Sequence, residues 1–337
     1  MRLTLRGFLL IFLVGALFAT CAMILLPHDK YLRYQSLNDH SAPNSYWIYE
    51  RIHDDPTPID IAFIGTSRTG RSVNTGRLQD RLAAHGVPLH AANFHIVKTG
   101  RNMHYAIAKE LLGNRKVKLL VLEITEQEDR KPHPDFVLLA DTRDIVFAPL
   151  FINTRYLADM VRLPGRQVDL FLETQLQRYG WRTPEFTPPP YEGPNLDRTD
   201  YLLTLDGVNH SLAAQHTFAE MEAMRVQQER ELTPAVMPAS LEWLEYRFPR
   251  YYIDAILAMA ARQGTKVVFL YLPRYGGPAV PDSYGRLYAN RAGLINPDSE
   301  QLQDFRLWWD DTHVNAGGSH LITDAVAESL WRDGYAK

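Results

Sequence analysis

The chain has 337 residues, 46% of them hydrophobic, and its 36 Lys and Arg against 39 Asp and Glu leave a net charge of −3. Near-neutral charge with no basic stripe excludes the surface that nucleic-acid binding requires, and a single cysteine, Cys21, excludes a disulfide framework. A body of roughly 300 residues is large enough to bury about three quarters of its unfolded surface without such staples.

At the amino terminus Arg2 and Arg6 precede an uncharged, mostly apolar run, Gly7–Leu26. About 20 apolar residues at about 1.5 Å each cover the hydrocarbon core of a bilayer, and the flanking positive charges favour a cytoplasmic amino terminus. A cleaved signal peptide is the rival reading, but the run exceeds an ordinary h-region and no Ala-x-Ala site closes it before Pro27. Phe18-Ala19-Thr20 is a poor lipobox for Cys21. The expected plan is residues 1–26 as cytoplasmic tip and transmembrane anchor, residues 27–58 as a juxtamembrane linker with one short helix near Tyr46–Ile52, and residues 59–337 as a domain outside the inner membrane.

From Ile59 the pattern predicts strand Ile59–Ile64, helix Thr75–His85, strand Pro88–Ile96, helix Asn102–Leu112 and strand Val117–Ile124. This alternation with short loops is that of a three-layer α/β/α, doubly wound parallel sheet. It breaks after Glu128 into a polar and aromatic insertion at about 130–240, with helical periodicity at Gln167–Arg178 and Ala213–Leu232, expected as a partly helical cap over the active edge. Its aromatics, including Trp181, Phe186 and Tyr191, suit either stacking on sugars or packing. His133, His210 and His216 lack metal-ligand spacing, so neither a metal nor a cofactor is expected. A helix from Leu241 to about Arg262, with a break or kink at Pro249, strand Thr265–Leu272 and a last helix Gly318–Trp331 restore the sheet pattern.

Two segments carry chemistry. The first strand ends in Gly65-Thr66-Ser67-Arg68, a tight turn that exposes Ser67 at the carboxyl edge, where open α/β sheets place ligands. Near the other end stands Asp310-Asp311-Thr312-His313. A serine hydroxyl becomes a nucleophile when a base takes its proton, and a carboxylate fixes the tautomer of that base; Asp310, three residues before His313, has the spacing for this. Each segment also has a plain structural reading, as a strand-to-helix turn with a capping Thr or Ser and as a cap before the last helix. Arg68, Arg71, Arg101 and Arg274 near strand ends are either solvated surface or contacts for an anionic polymer.

The two segments resemble blocks of the SGNH (GDSL-like) hydrolases, and within them the membrane-anchored branch of alginate and cellulose O-acetylation proteins and the teichoic acid D-alanylation protein. The similarity covers roughly residues 58–127 and 250–333. Gly65-Thr66-Ser67-Arg68 matches the first block with Thr where the hydrolases usually carry Asp, a change often seen in the polymer-modifying branch, and Asp310-x-x-His313 matches the last. The resemblance implies an oxyanion hole completed by a Gly and an Asn. Gly100 is the candidate for the Gly; the Asn is missing, because the third strand continues Thr125-Glu126-Gln127-Glu128. An ionised Glu donates no hydrogen bond, which leaves Gln127 as the substitute.

The expectation is an extracytoplasmic serine acyltransferase that O-acetylates a polysaccharide, with a multi-spanning membrane-bound O-acyltransferase as partner. A carbohydrate O-acetylesterase and a non-catalytic assembly or polymer-binding subunit are the alternatives.

Overall fold

The computed structural model describes residues 4–40, 45–126, 130–184, 216–231, 237–238, 240–281, 283–297 and 300–335. In chain order its elements are α1 (Leu5–Ile24), α2 (Tyr31–His40), α3 (Ser45–His53), β1 (Ile61–Gly65), α4 (Ser67–Ser72), α5 (Thr75–Ala84), β2 (Ala91–His95), α6 (Arg101–Asn114), β3 (Leu119–Glu123), α7 (Phe136–Leu139), α8 (Thr142–Val146), α9 (Tyr156–Arg178), α10 (Phe218–Glu231), α11 (Glu242–Glu245), α12 (Arg247–Gln263), β4 (Lys266–Leu270), α13 (Ser283–Leu287), β5 (Gly293–Ile295) and α14 (Ala316–Arg332). They fall into two compact units, one of Met1–Tyr49 with Pro134–Pro189 and one of Glu50–His133 with Pro190–Lys337.

The second unit holds a five-stranded, all-parallel sheet in the order β2-β1-β3-β4-β5, with helices on both sides. Residues of β1 and β3 are buried throughout, as expected of central parallel strands covered on both faces. The register pairs Ile61 with Ala91 on one side and Leu119 on the other, and Leu119 with Lys266. Sequence neighbours β1 and β2 lie side by side, whereas β3 lies on the other flank of β1. The winding therefore reverses at β1, and an open sheet forms its crevice at the carboxyl ends of the strands that flank such a reversal.

The edge strand β5 is only three residues long, too short for an alternating pattern to announce it. Two further differences from the sequence reading have local causes. Pro249 does not break the expected helix: the interruption falls at Tyr246, between α11 and α12, and Pro249 is the third residue of α12, where its missing N–H is not needed. Pro164 lies inside α9, which begins at Tyr156 rather than Gln167; one lost hydrogen bond does not end a 23-residue helix.

The segment expected as a linker folds into α2 and most of α3, with Leu32, Tyr34, Leu37, Ile48 and Ile52 buried. The expected cap divides as well. Helices α7, α8 and α9 belong to the unit that contains α1, whereas α10 falls in the unit of the sheet, with Met221 buried in that unit's core. Phe186, Tyr191 and His210 lie outside the described residues.

Helix α14 starts where its cap dictates. Asn315 Oδ1 accepts from Gly318 N at 3.2 Å, and Asn315 Nδ2 donates to the Arg306 carbonyl at 2.7 Å. Asn315→Ala is expected to cost about 2 kcal/mol in urea unfolding, since it removes an N-cap and orphans a carbonyl. A loss below about 0.5 kcal/mol would show that Asn315 does not set the start of α14.

Candidate active site

The chain leaves β1 and enters α4 within one residue. Thr66 is the N-cap, its Oγ1 accepting from Arg68 N at 3.2 Å, so Ser67 becomes the first helical residue. Three anchors fix this turn. Asn93 on β2 donates to the carbonyls of Thr69 and Val73 at 3.0 and 3.1 Å. Thr323 on α14 donates to the Ser72 carbonyl at 3.1 Å and accepts from Asn74 N at 3.0 Å, which ties the helix of Ser67 to the helix that follows His313.

The third anchor is Glu123, the last residue of β3 and fully buried. Its carboxylate accepts from Thr66 N at 2.6 Å, Thr66 Oγ1 at 3.0 Å, Thr69 Oγ1 at 2.6 Å and Arg68 Nε at 3.2 Å. Only a glycine fits beneath it: a Cβ on Gly65 would lie 2.3 Å from Glu123 Oε2 and 2.1 Å from Thr69 Oγ1.

Ser67 Oγ lies 2.8 Å from His313 Nε2. On the other side of the ring, His313 Nδ1 is 3.0 and 2.9 Å from the two oxygens of Asp310. Asp310 Oδ1 also accepts the backbone N–H groups of Thr312 at 2.8 Å and His313 at 2.6 Å, closing the turn that presents the ring. A carboxylate on Nδ1 selects the tautomer protonated there, leaving Nε2 as the acceptor for the serine hydroxyl. Gln228 on α10 donates to Thr312 Oγ1 at 2.7 Å, so the insertion contributes to this turn.

Asp310 and Asp311 titrate apart. Burial pushes the Asp310 carboxyl up, but the hydrogen bond and charge of His313 and the two backbone N–H groups outweigh it and hold the pKa below the usual carboxylate value. Asp311 is raised, first by burial and then by the neighbouring charge of Asp310.

Gly100 is the N-cap of α6, at φ 150° and ψ 105°, a region that favours glycine. A Cβ there would lie 2.5 Å from His133 N, and His133 is itself held by Asn102 Oδ1 at 2.9 Å and the Val97 carbonyl at 2.9 Å. The N–H groups of Ser67 and Gly100 both precede any intrahelical partner. Arg68 is buried against Glu123, and Arg101 is buried too, so neither is a solvated surface arginine.

Glu126 stands near the missing Asn and is turned inward. Arg101 donates to it from Nε at 2.7 Å and Nη2 at 2.9 Å, Tyr288 OH donates to Glu126 Oε2, and Arg101 Nη2 also reaches the Glu123 carbonyl at 2.8 Å. Burial raises the Glu126 pKa, but the Arg101 charge and hydrogen bonds overcome it and leave the carboxyl below its usual value. Gln127 lies outside the described residues.

Sequence reasoning missed Glu123, His133 and Tyr288. A carboxylate closing the apolar run Leu119-Leu120-Val121-Leu122 was the one available signal. Among the described residues no group of three or more His, Cys, Asp or Glu is placed to hold a metal ion. Neither the models of known families nor the curated protein sequences contain a match to this chain.

Glu123→Gln is expected to cost about 3 kcal/mol in urea unfolding, because it removes the buried carboxylate charge that faces the Arg68 guanidinium. A loss under about 1 kcal/mol would mean that the clamp is held by its neutral donors alone.

The aspartates give a second test. Asp310, with a lowered folded pKa, contributes stability above its unfolded pKa that disappears as pH falls through the folded value. Asp311, with a raised one, favours folding only when protonated and loses that contribution as pH rises through its folded pKa. Asp310→Asn should therefore lower, and Asp311→Asn raise, the urea midpoint at neutral pH. Equal shifts of the same sign would contradict this assignment.

Proposed function

We propose that this protein is a membrane-anchored, extracytoplasmic serine acyltransferase that O-acetylates a cell-surface or exported polysaccharide through a Ser67 acyl-enzyme. The observation that carries the reading is the continuous hydrogen-bonded chain from Ser67 through His313 to Asp310, set where the sheet order reverses. In the first half-reaction Ser67 Oγ attacks the carbonyl carbon of an acyl donor while His313 Nε2 takes the hydroxyl proton. Collapse of the tetrahedral adduct breaks the bond to the leaving group, which departs with the proton from His313. In the second half, a sugar hydroxyl gives its proton to His313 and attacks the Ser67 ester, releasing the acylated sugar and restoring the serine.

Asp310 orients the ring and stabilises the imidazolium in both halves, and the N–H groups of Ser67 and Gly100 receive the oxyanion. The order of the Ser67 and His313 blocks along a parallel α/β sheet supports an SGNH-like fold. The 2.8 Å contact of Ser67 with His313 favours an enzyme over a non-catalytic subunit. Transfer is favoured over hydrolysis by the apolar helix α1, which suits a protein that takes acyl groups from a membrane partner.

Helix α1 is long and apolar enough to cross a membrane, with a mean hydropathy of 2.5 and no buried residue. It supports a single-pass inner-membrane protein whose catalytic unit faces the periplasm or the outside. Acetyl groups made as cytoplasmic thioesters must then be handed across the bilayer, the role of a membrane-bound O-acyltransferase partner.

The test supplies full-length protein in detergent with p-nitrophenyl acetate, with and without candidate oligosaccharides, and follows acylation of Ser67 by mass spectrometry. Wild type should gain one acetyl group on Ser67 and pass it to an oligosaccharide faster than to water. Ser67→Ala should gain none, and Asp310→Asn should slow turnover by about 10⁴-fold, far more than Asp311→Asn. Acylation that survives in Ser67→Ala would overturn the assignment; an acetyl group lost to water alone would make the protein an esterase.

A further inference from the structure

Helix α9 turns an apolar stripe outward, beside the exposed Arg162 and Asp169. Toward its own unit it buries Asp159, Leu163, Arg166, Gln167 and Leu170, and its outward residues Leu157, Val161 and Leu172, which share one stripe at helical spacing, are 77%, 80% and 51% exposed. Of the polar side chains inside, Arg166 donates to the carbonyls of Val137 and Ala140, whereas Asp159 lies 3.9 Å from Arg155, beyond hydrogen-bond distance. The loop before α9 continues the apolar surface with Phe147, Leu150 and Phe151, all exposed. Tyr156 OH, which donates to the Val146 carbonyl at 2.9 Å, fixes this loop beside the first turn of α9. A helix in water buries its apolar stripe, so the reverse pattern points to apolar surroundings outside.

The position of α9 names those surroundings. Gln167 Nε2 donates to the Ile24 carbonyl at 2.9 Å, satisfying one of the free carbonyls that end α1. Further on, Asp29 N donates to Thr174 Oγ1 at 3.0 Å. The two chains thus run in the same direction with Gln167 level with the end of α1, so Leu157 and Val161 lie back along its last turns, where Leu17 and Phe18 are themselves exposed. Between Tyr156 and Gln167 the only acidic residue is the buried Asp159, while Arg143 and Arg162 are exposed and long enough to reach lipid phosphates.

We infer that the outward face of α9, with the Phe147–Phe151 loop, is seated in the headgroup–acyl boundary of the bilayer that α1 crosses. The anchor is then a spanning helix with an interfacial wedge at its outer end. This rests on the reading of α1 as a membrane span, and the test separates the two.

In a Cys21→Ala background, single cysteines at Leu13, Val161 and Arg178 of the full-length chain carry an environment-sensitive fluorophore in vesicles of phosphatidylethanolamine and phosphatidylglycerol, with or without doxyl-labelled lipid. Labels at Leu13 and Val161 should both lose fluorescence to the doxyl lipid, and the label at Arg178, exposed in the last turn of α9 and about 16 Å beyond Gln167, should keep it. Quenching at Leu13 with none at Val161 overturns the inference and leaves the anchor standing. Absence of quenching at both positions removes the anchor and the inference with it. A photo-crosslinker at Val161 that captures a protein rather than lipid in native membranes overturns the inference in favour of a docking surface for a partner.

Discussion

The site is organised by one buried carboxylate. A parallel strand that must give way to a helix within a single residue has no loop in which to adjust, so the direction of Ser67 is set by whatever holds Thr66. Glu123 holds it, taking both the N–H and the hydroxyl of Thr66 and the hydroxyl of Thr69 one turn later. The same group explains Gly65, since a Cβ would occupy the space of the carboxylate oxygen, and it explains why Arg68 points inward. Buried ion pairs contribute little net stability, because desolvation offsets the attraction. What this one contributes is a single position for the turn that carries Ser67.

Glu126 and Arg101 repeat the device three residues further along the chain, and the two pairs are linked, since Arg101 also donates to the Glu123 carbonyl. The carboxyl end of β3 thus carries two glutamates, each matched by an arginine from the start of a neighbouring helix. Removing any one of the four would take a counter-charge from a buried partner. The cost of such an arrangement is that Glu126, committed to Arg101 and Tyr288, has no hydrogen bond to donate. Backbone N–H groups at the starts of α4 and α6 are donors that need no side chain.

Much of this was legible in the sequence, and what was not has physical reasons. Strands β1, β3 and β4 announce themselves because buried parallel strands are apolar runs closed by Gly, Pro or charge. Ser67, His313 and Asp310 stood out because a serine nucleophile with its base would need those types in such turns. Arg68 and Arg101 misled, since an arginine at a strand end is ordinarily solvated and the partners that bury them, Glu123 and Glu126, lie 55 and 25 residues away. The helical nature of residues 31–40 was hidden too: α2 has weak amphipathic order, and its apolar residues find their cover only in the folded unit.

The division into units follows from where the chain departs from the sheet. Strands β3 and β4 are adjacent and paired from Leu119 and Lys266, yet the connection between them carries α7, α8 and α9, which fold with α1 and α2 rather than with the sheet. Lengthening a connection costs only about 0.6 kcal/mol for each doubling, so an excursion of this size leaves the pairing of β3 with β4 intact. In exchange, α1 gains neighbours: Gln167 satisfies its terminal carbonyl, and Arg33 of α2, at 2.6 Å from Asp141, ties the following segment to the start of α8. An apolar helix joined to a body by an unstructured tether would be free to swivel, whereas these side-chain bonds make the carboxyl end of α1 a fixed part of its folded unit.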